Sequence, residues 1–250
     1  MGQLDNKTAV VTGGGTGIGL ASAVRLAEDG AHVFITGRRR AELDAAVEAI
    51  GGPERATAVA GDISNPADLD RLYEAVRARG QGLDVVFANA ATASLVPLEQ
   101  ITEKDFDHVF DVNVRGTLLT VQKALPLLND GASVILNAST AADNGTEAFG
   151  LYAASKAAVR SFARTWANEL KDRGVRVNAV SPGPVDTPGI TDLFGEENAA
   201  DVRTKLATDT ALGRMGRPEE AAAVVAFLAS DQSSFMLGAN VFVDGGENQI

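Results

Sequence analysis

The stretch Lys7-Thr8-Ala9-Val10-Val11-Thr12-Gly13-Gly14-Gly15-Thr16-Gly17-Ile18-Gly19 is a short apolar strand that runs directly into a glycine-rich turn. A helical pattern follows to about Glu28, Gly30 ends it, and Ala31 to Thr36 reads as a second apolar strand. A strand, a helix and a second strand within about 30 residues have the size of one nucleotide-binding half of an α/β fold. The stretch therefore predicts parallel strands joined by a crossover helix.

The same pattern recurs along the chain. Further strands are predicted at about 57–60, 83–88, 132–136, 175–180 and 240–243, and helices at about 40–50, 66–79, 103–128, 150–173 and 218–229. Short, continuously apolar strands that alternate with helices are typical of a parallel sheet covered on both faces. Since no linker interrupts the series, we expect an α/β fold with a seven-stranded sheet in a single domain, residues 1–250.

Residues 182–217 depart from this alternation of strands and helices. Residues 182–217 contain Pro182, Pro184 and Pro188, several glycines and only weak helical patterning. An insertion of this length in a compact domain is more often a lid or a binding loop than a filler. We therefore expect it to cover a substrate site.

Composition excludes several classes of function. The net charge of −11 disfavours a nucleic-acid partner, and the absence of cysteine excludes disulfides and thiolate metal sites. Only His32 and His108 could serve as histidine ligands; both are expected to be structural, so no metal site is predicted. No run of 18 apolar residues occurs and Met1–Asp5 lacks a signal-peptide core, which predicts a cytoplasmic protein without a membrane partner.

The glycine turn predicts a phosphate-binding site. Gly13, Gly17 and Gly19 would let the backbone approach a pyrophosphate at the N-terminus of a helix. A P-loop would place Lys and then Ser or Thr after the last glycine, but Leu20 and Ala21 stand there, so ATP hydrolysis is disfavoured. The alternative is a tight turn that binds no ligand.

Cofactor choice depends on the end of the second strand. An acidic residue at this place favours NAD, whereas an arginine accepts the 2′-phosphate of NADP. This chain has Arg38-Arg39-Arg40, three cations at a helix N-terminus, where they oppose the helix dipole. The pattern favours NADP over NAD, with Arg38 as the first contact. The alternative is a solvated turn whose charge is offset by Glu42 and Asp44.

A candidate acid/base cluster lies in the second half of the chain. Ser139 follows an apolar strand, and Tyr152 and Lys156 are four residues apart on an alanine-rich predicted helix, which places them on one face. A nearby ammonium favours the phenolate, so we expect Lys156 to lower the Tyr152 pKa from its unperturbed value of about 10. The alternative is a surface pair without chemistry.

Together these motifs resemble the classical short-chain dehydrogenases/reductases (SDRs). The resemblance rests on Thr12-Gly13-x-x-x-Gly17-Ile18-Gly19, Ser139 and Tyr152-x-x-x-Lys156, and spans about Leu4 to Gly246. Further matches are Gly61-Asp62, Ala88-Asn89-Ala90, Asn113, Ser181–Thr187 and Val243–Gly246. The resemblance implies a doubly wound Rossmann fold. Ala91 departs from the family pattern, which has glycine there, and this affects the expected shape of the adenosine pocket.

The resemblance also implies which residues hold the cofactor. The glycines would bind the pyrophosphate, Asp62 the adenine and Thr187 the nicotinamide carboxamide. Two alternatives remain: Asp62 as the N-terminal signal of the next helix, and Thr187 as a turn residue only. The full expected set is Gly13, Thr16, Gly17, Ile18, Gly19, Arg38, Arg39, Asp62, Ile63, Asn89, Ala90, Tyr152, Lys156, Pro182, Gly183, Val185 and Thr187.

For catalysis the resemblance implies four residues. Tyr152 would be the general acid in carbonyl reduction and the base in alcohol oxidation, Ser139 would bind the substrate oxygen, and Lys156 would bind the nicotinamide ribose. Asn113 would hold a helix kink open for a water that links Lys156 to solvent, unless it is only a satisfied core amide. The expected activity is hydride transfer between NADP(H) and a secondary alcohol or ketone. The alternative is a cofactor-binding sensor of the same fold.

The sequence also predicts an interface between copies of the chain and the residues around the substrate. On the helix of Tyr152, the face carrying Ala154, Ala158, Ser161 and Thr165 is small and uncharged, which predicts a helix-packed homo-oligomer, a tetramer or a dimer. Residues 91–96, 141–151 and the lid would form a partly apolar pocket. The sequence does not indicate which alcohol or carbonyl compound enters it.

Overall fold

Seven parallel strands form one sheet in the computed structural model, which describes residues 2–250. They are β1 (Thr8–Thr12), β2 (His32–Gly37), β3 (Ala56–Ala60), β4 (Leu83–Ala88), β5 (Leu128–Asn137), β6 (Arg176–Pro182) and β7 (Asn240–Val243). Their order is β3-β2-β1-β4-β5-β6-β7, with every neighbouring pair parallel. The winding reverses between β1 and β4, as in a doubly wound Rossmann fold. The predicted fold is confirmed.

Nine α-helices connect and cover these strands within the described part of the chain. They are α1 (Gly17–Glu28), α2 (Arg40–Ile50), α3 (Pro66–Arg79), α4 (Glu103–Phe110), α5 (Thr117–Ala124), α6 (Gly150–Leu170), α7 (Pro188–Phe194), α8 (Glu196–Thr208) and α9 (Pro218–Ala229). Over residues 2–250, none of them carries an apolar stretch long enough to cross a bilayer.

Two hydrophobic cores lie on opposite faces of the sheet. One contains Leu72 of α3, Val121 of α5 and Val159 of α6, and the other contains Leu26 of α1 and Leu228 of α9. Because both faces are covered, the strand residues are buried whichever way they point, which explains the continuous apolar runs.

Local signals set the ends of several helices. The Asn65 side chain accepts a hydrogen bond from the backbone nitrogen of Ala67 at 3.0 Å, Pro66 is the first residue of α3, and Gly80 ends it in the left-handed region. Thr102 and Asp105 form a capping box at the start of α4.

The predicted helix at 103–128 is interrupted. A π-helical stretch, Asp111–Gly116, separates α4 from α5, and α5 ends at Ala124, so that Leu128 already belongs to β5. A β-carbon at Gly116 would lie 2.8 Å from the Ile63 side chain, so the backbone here packs directly against the loop after β3. Such π-helical stretches are frequent at functional sites.

The segment at 182–217 is more helical than its sequence suggests. It contains α7 and α8, separated by Gly195 at a φ of 80°. Each helix buries only one residue completely, Ile190 in α7 and Ala199 in α8. Since so few positions face the core, the apolar periodicity that would reveal a helix is weak.

Candidate active site

Polar side chains link the ends of three neighbouring strands. The Asn89 side chain donates to the Thr12 carbonyl at 2.9 Å, and the Asn137 side chain donates to Asn89 Oδ1 at 2.9 Å. Lys156 Nζ, from α6, donates to the Asn137 carbonyl at 2.7 Å. The chain of contacts runs along the carboxyl edge of the sheet, across the place where the strand order reverses. Open α/β sheets bind their ligands at this place.

The glycine turn is too tightly packed for side chains. Gly13 has a φ of 65°, and a β-carbon there would lie 3.0 Å from the α-carbon of Ala90. A β-carbon at Gly19 would lie 2.1 Å from the Gly13 carbonyl oxygen. Because neither position can carry a side chain, the N-terminus of α1 is left open to a phosphate group. This geometry fits a dinucleotide.

Most of the predicted cofactor residues line one cleft. It lies over the carboxyl ends of β1, β2 and β4, and Thr187, the residue before α7, closes it from the lid side. A β-carbon at Gly17 would come within 3.2 Å of the Thr187 side chain, so the lid touches the glycine turn. The predicted residues that line the cleft are Gly13, Thr16, Gly17, Ile18, Gly19, Arg38, Arg39, Asp62, Ile63, Asn89, Ala90 and Thr187.

The three arginines after β2 have different environments. Arg39 pairs with Glu42 at 2.7 Å and Arg40 with Asp44 at 2.8 Å, so the solvated-turn alternative describes these two residues. Arg38 lines the cleft and has no carboxylate within 4.0 Å in the part of the chain that the structure describes. A guanidinium without a partner at this place suits a phosphate.

Asp62 does not cap the following helix. Asn65 is the N-cap of α3, so this alternative reading of Asp62 is wrong. Instead, Asp62 Oδ1 accepts hydrogen bonds from the Ser64 backbone at 2.9 Å and from the Ser64 hydroxyl at 2.7 Å. Both bonds use the same oxygen and hold the carboxylate in the cleft wall.

The predicted catalytic side chains lie close together. Tyr152 and Lys156 are on α6, with Lys156 Nζ 5.5 Å from the centroid of the Tyr152 ring. Ser139 follows β5, and its side chain lies in the wall of the same cleft as Tyr152. The Phe149 ring stacks on Tyr152 with a centroid distance of 4.5 Å, which fixes the orientation of the phenol.

Burial acts against the expected effect of Lys156. It raises the pKa of Tyr152, and the nearby Ser139 side chain lowers that pKa by less. Burial also lowers the pKa of Lys156 to about 7. In the chain without cofactor, burial therefore outweighs the effect expected of Lys156, because desolvation disfavours the charged form of both groups. That Lys156 favours the phenolate stays a prediction.

Asn113 connects the π-helical stretch to the site. Its side chain accepts from the Thr92 backbone nitrogen at 2.8 Å, and donates to the Thr92 carbonyl at 2.8 Å and to Ser155 Oγ at 2.9 Å. Ser155 Oγ donates in turn to the Tyr152 carbonyl at 2.7 Å. Asn113 is thus a satisfied core amide that joins the loop after β4 to the turn of α6 that carries Tyr152.

A second cleft adjoins the first. Ser139 and Tyr152 lie in its wall, Phe149 and Ile190 add apolar surface, and Arg38 and Thr187 border both clefts. Gly183 and Val185, which were assigned to the cofactor, line this second cleft instead. Pro182, Lys156 and Asn113 line neither cleft; Pro182 accepts a hydrogen bond from Thr140 at 3.3 Å through its carbonyl.

Two residues of the site were given no role by the sequence reasoning. The Thr12 hydroxyl accepts from the backbone nitrogens of Asn89 at 3.0 Å and Ala90 at 3.1 Å, which sets the loop after β4. Asn137 presents the carbonyl that holds Lys156. A polar residue at the end of an apolar strand is a signal that could have identified Asn137. Ala91, the departure from the family pattern, lies in the walls of both clefts.

No cluster of three His, Cys, Asp or Glu side chains that could hold a metal ion occurs within residues 2–250.

Comparisons with known proteins extend the similarity over nearly the whole chain. Residues 13–248 match the family model described as enoyl-(acyl carrier protein) reductase. The chain is 48% identical over 250 residues to oxidoreductase asL5 of Sarocladium schorii, covering 99% of this chain and 98% of that protein. It is 36% identical over 249 residues to the NADP-dependent (R)-specific alcohol dehydrogenase of Lentilactobacillus kefiri, covering 98% and 97% of the two chains. Levodione reductase has a solved structure that matches with a TM-score of 0.91 and 31% identity over 98% of each chain.

Proposed function

Because the chain belongs to the short-chain dehydrogenase/reductase family of oxidoreductases, we propose that it transfers a hydride between NADP(H) and a secondary alcohol or ketone. The observation that carries this proposal is the convergence of Ser139, Tyr152 and Lys156 beside the cleft that the glycine turn opens. One domain, residues 1–250, would provide both clefts, with residues 182–217 as the substrate lid.

Arg38 would select NADP over NAD. It is the arginine of the three that has no carboxylate partner among residues 2–250, and it borders the cleft at the end of β2, where the adenosine ribose of a dinucleotide lies in this fold. The 2′-phosphate would give it a charge-assisted partner. The printed name of the Lentilactobacillus kefiri relative, an NADP-dependent enzyme, supports the same choice.

The protein's task in the reaction is to orient two partners and to move one proton. When bound, the cofactor supplies the hydride and, in its oxidised form, a positive charge on the nicotinamide ring. Tyr152 donates its phenolic proton to the oxygen of a ketone as the hydride arrives at the carbonyl carbon, and takes that proton back in alcohol oxidation. Ser139 donates a hydrogen bond to the same oxygen and stabilises the charge that develops there.

Lys156 would prepare Tyr152 for this role. Burial alone raises the pKa of the phenol, so a general base at neutral pH needs positive charge nearby. Lys156, 5.5 Å from the ring, supplies this charge when protonated. Asn113 acts by position: it holds the Ser155 turn of α6 against the π-helical stretch, where a water could link Lys156 to solvent.

The test is carbonyl-dependent oxidation of NADPH across a panel of aliphatic, cyclic and aromatic ketones, for the wild type and for Tyr152→Phe. We expect Tyr152→Phe to lower kcat by about 10²–10⁴-fold and to leave NADPH binding, measured by fluorescence titration, within about twofold. The matched control is Tyr73→Phe, which removes the same hydroxyl from a buried hydrogen bond to the Thr120 carbonyl, far from the clefts. It should remain active.

The alternative function is a cofactor-binding sensor without catalysis. It requires NADPH to bind while no ketone or alcohol in the panel is turned over by the wild type. The presence of Ser139 and Tyr152 in one cleft, with Lys156 close to the Tyr152 ring, disfavours this reading, since a sensor needs none of the three.

We also propose a homo-oligomer, a dimer or a tetramer, assembled through α6. Its outward residues Ala154, Ser161 and Thr165 are exposed, and Ala158 is half-buried. On the neighbouring helices, Phe106 is 46% exposed and Leu118 is 37% exposed. A small-residue face flanked by exposed apolar side chains suits packing against a second copy. A cytoplasmic location stays a prediction from the sequence.

A further inference from the structure

We infer that Glu247 determines substrate specificity: its carboxylate accepts a hydrogen bond from a hydroxyl or ammonium group that the substrate carries near its reacting carbon. This inference rests on the proposed function and adds a chemical class to it. Glu247 lines the second cleft together with Ser139 and Tyr152.

The C-terminal turn holds Glu247 in place. Asp244 accepts hydrogen bonds from the backbone nitrogens of Gly246 at 3.0 Å and Asn248 at 3.1 Å, one on each side of Glu247. The Asn248 side chain donates to the Thr140 carbonyl at 2.9 Å. Since Thr140 directly follows Ser139, this bond ties the turn to the residue that would bind the substrate oxygen.

Gly183 makes room for the carboxylate. A β-carbon at Gly183 would lie 2.8 Å from the Asp244 α-carbon and 2.9 Å from Glu247 Oε2, so a side chain there would clash with the backbone of the C-terminal turn as well as with the acid. Glu247 and Gly183 both line the second cleft. The loop after β6 and the C-terminal turn are therefore shaped to bring this acid to the substrate.

The carboxylate lacks the partners that a buried acid normally has. Glu247 Oε2 is buried and has no hydrogen-bond partner among the described residues, and no Lys or Arg within residues 2–250 pairs with Glu247. Burial raises the pKa of Glu247, the nearby Thr140 side chain lowers it, and the nearby charges of Asp244 and Asp209 raise it again. Because Oε2 is closed off from solvent, a donor carried by a ligand in the cleft would bind the other oxygen, Oε1, and would stabilise a half-buried carboxylate that has no cation beside it.

The rest of the cleft restricts the substrate further. Leu193, Phe194 and Leu206 of the lid provide an apolar wall, Asp192 adds a second acid, and Arg38 at the cofactor end is the one cation in the lining within the described residues. Glu247 would repel an anionic substrate. The arrangement suits a small neutral or cationic ketone with one apolar face and one hydrogen-bond donor.

The test compares substrates that differ only in the donor. ω-Hydroxy-2-alkanones of three chain lengths are paired with the 2-alkanones in which methyl replaces the hydroxyl, and 1-(dimethylamino)propan-2-one is paired with 4-methylpentan-2-one. Each pair is assayed with the wild type, Glu247→Gln, Glu247→Leu and, as a control for one lost negative charge, Glu219→Gln. Glu219 is exposed at the start of α9 and lines neither cleft.

We expect the wild type to favour at least one donor substrate over its apolar partner by about 10–100-fold in kcat/KM, the range of one hydrogen bond to a charged group. Glu247→Leu should abolish that preference, and Glu247→Gln should abolish a preference for the ammonium while keeping part of one for the hydroxyl. Glu219→Gln should behave as the wild type. The two substrate series distinguish a hydroxyl from an ammonium ligand.

Three results would overturn the inference. If the wild type reduces the ketones without a donor preference, or if Glu247→Leu keeps that preference, Glu247 has no role in specificity although the proposed function stands. If no ketone is reduced by the wild type, both the proposed function and this inference are wrong. Thermal unfolding of Glu247→Leu shows whether that variant is folded. If it is not folded, the donor preference of the wild type is compared with that of Glu247→Gln, which keeps the shape of the side chain.

Discussion

Replacing Lys156 with methionine should change the stability of the protein in a direction that depends on pH. Lys156 is 2% exposed, and burial lowers its pKa from 10.5 to about 7. Between these two values the unfolded chain binds a proton that the folded chain does not, so the wild type gains stability as the pH rises through this window. At pH 7 the deprotonation of Lys156 on folding still lowers the free energy of unfolding by nearly its full amount, roughly 4 kcal/mol at about 1.4 kcal/mol per pKa unit.

Lys156→Met removes this destabilisation by the buried amine, but it also removes a hydrogen bond. The Asn137 carbonyl loses the donor that lies 2.7 Å from it, which costs about 1–3 kcal/mol for a buried acceptor. We therefore expect the variant to be more stable than the wild type by about 1–3 kcal/mol near pH 7. Near pH 10, where the cost of the amine has fallen to about 1 kcal/mol, the variant should be the same or less stable by up to about 2 kcal/mol.

The assay is urea unfolding of the ligand-free protein at both pH values, followed by the fluorescence of Trp166, the single tryptophan. Comparing variant and wild type at each pH cancels the titration of all other groups. Lys171→Met, on an exposed lysine after α6, is the control and should change stability by less than about 0.5 kcal/mol at either pH. A Lys156→Met protein that is less stable at pH 7, or a difference that does not vary with pH, would refute this account of the buried amine.

Three further predictions test the cofactor cleft and the assembly. Arg38→Ala should raise the KM for NADPH about 10-fold or more while changing the KM for NADH less than twofold. The control Arg40→Ala, which breaks only the pair with Asp44, should change neither KM. Equal losses for both cofactors in Arg38→Ala would contradict the assignment of Arg38. Gly19→Ala, whose methyl would lie 2.1 Å from the Gly13 carbonyl oxygen, should destabilise the fold by about 1–3 kcal/mol and weaken cofactor binding. The control Gly15→Ala, whose methyl would have its nearest neighbour at 3.6 Å, should be tolerated. Similar melting temperatures for the two variants would argue against the packed turn. Light scattering should report an oligomer for the wild type and a 25.9 kDa monomer for Ser161→Arg. The control Ala45→Arg, on the exposed face of α2, should remain an oligomer. A monomeric wild type would refute α6 as an interface.

Local patterns were sufficient for the sheet and for most of the cofactor cleft. Gly13 and Gly19 stand in a turn between an apolar strand and a helix, and the choice of glycine itself reports the absence of space for a β-carbon. Tyr152 and Lys156 share a face because they are four residues apart on one helix. Information of this kind lies within a few neighbouring residues, so it can be read without the fold.

The tertiary structure decided what depends on surroundings that come from distant segments. The sequence favours Arg38 by its place after the strand, but only the fold shows that Arg39 and Arg40 are ion-paired while Arg38 has no carboxylate partner among residues 2–250. Burial against strands and loops far away in the chain lowers the pKa of Lys156 and raises that of Tyr152, a contribution that the spacing of the two residues does not reveal. Glu247 faces Gly183 and Thr140 from a turn more than 60 residues further along the chain. Residue spacing encodes neither desolvation nor such contacts, because both arise only when the segments pack together.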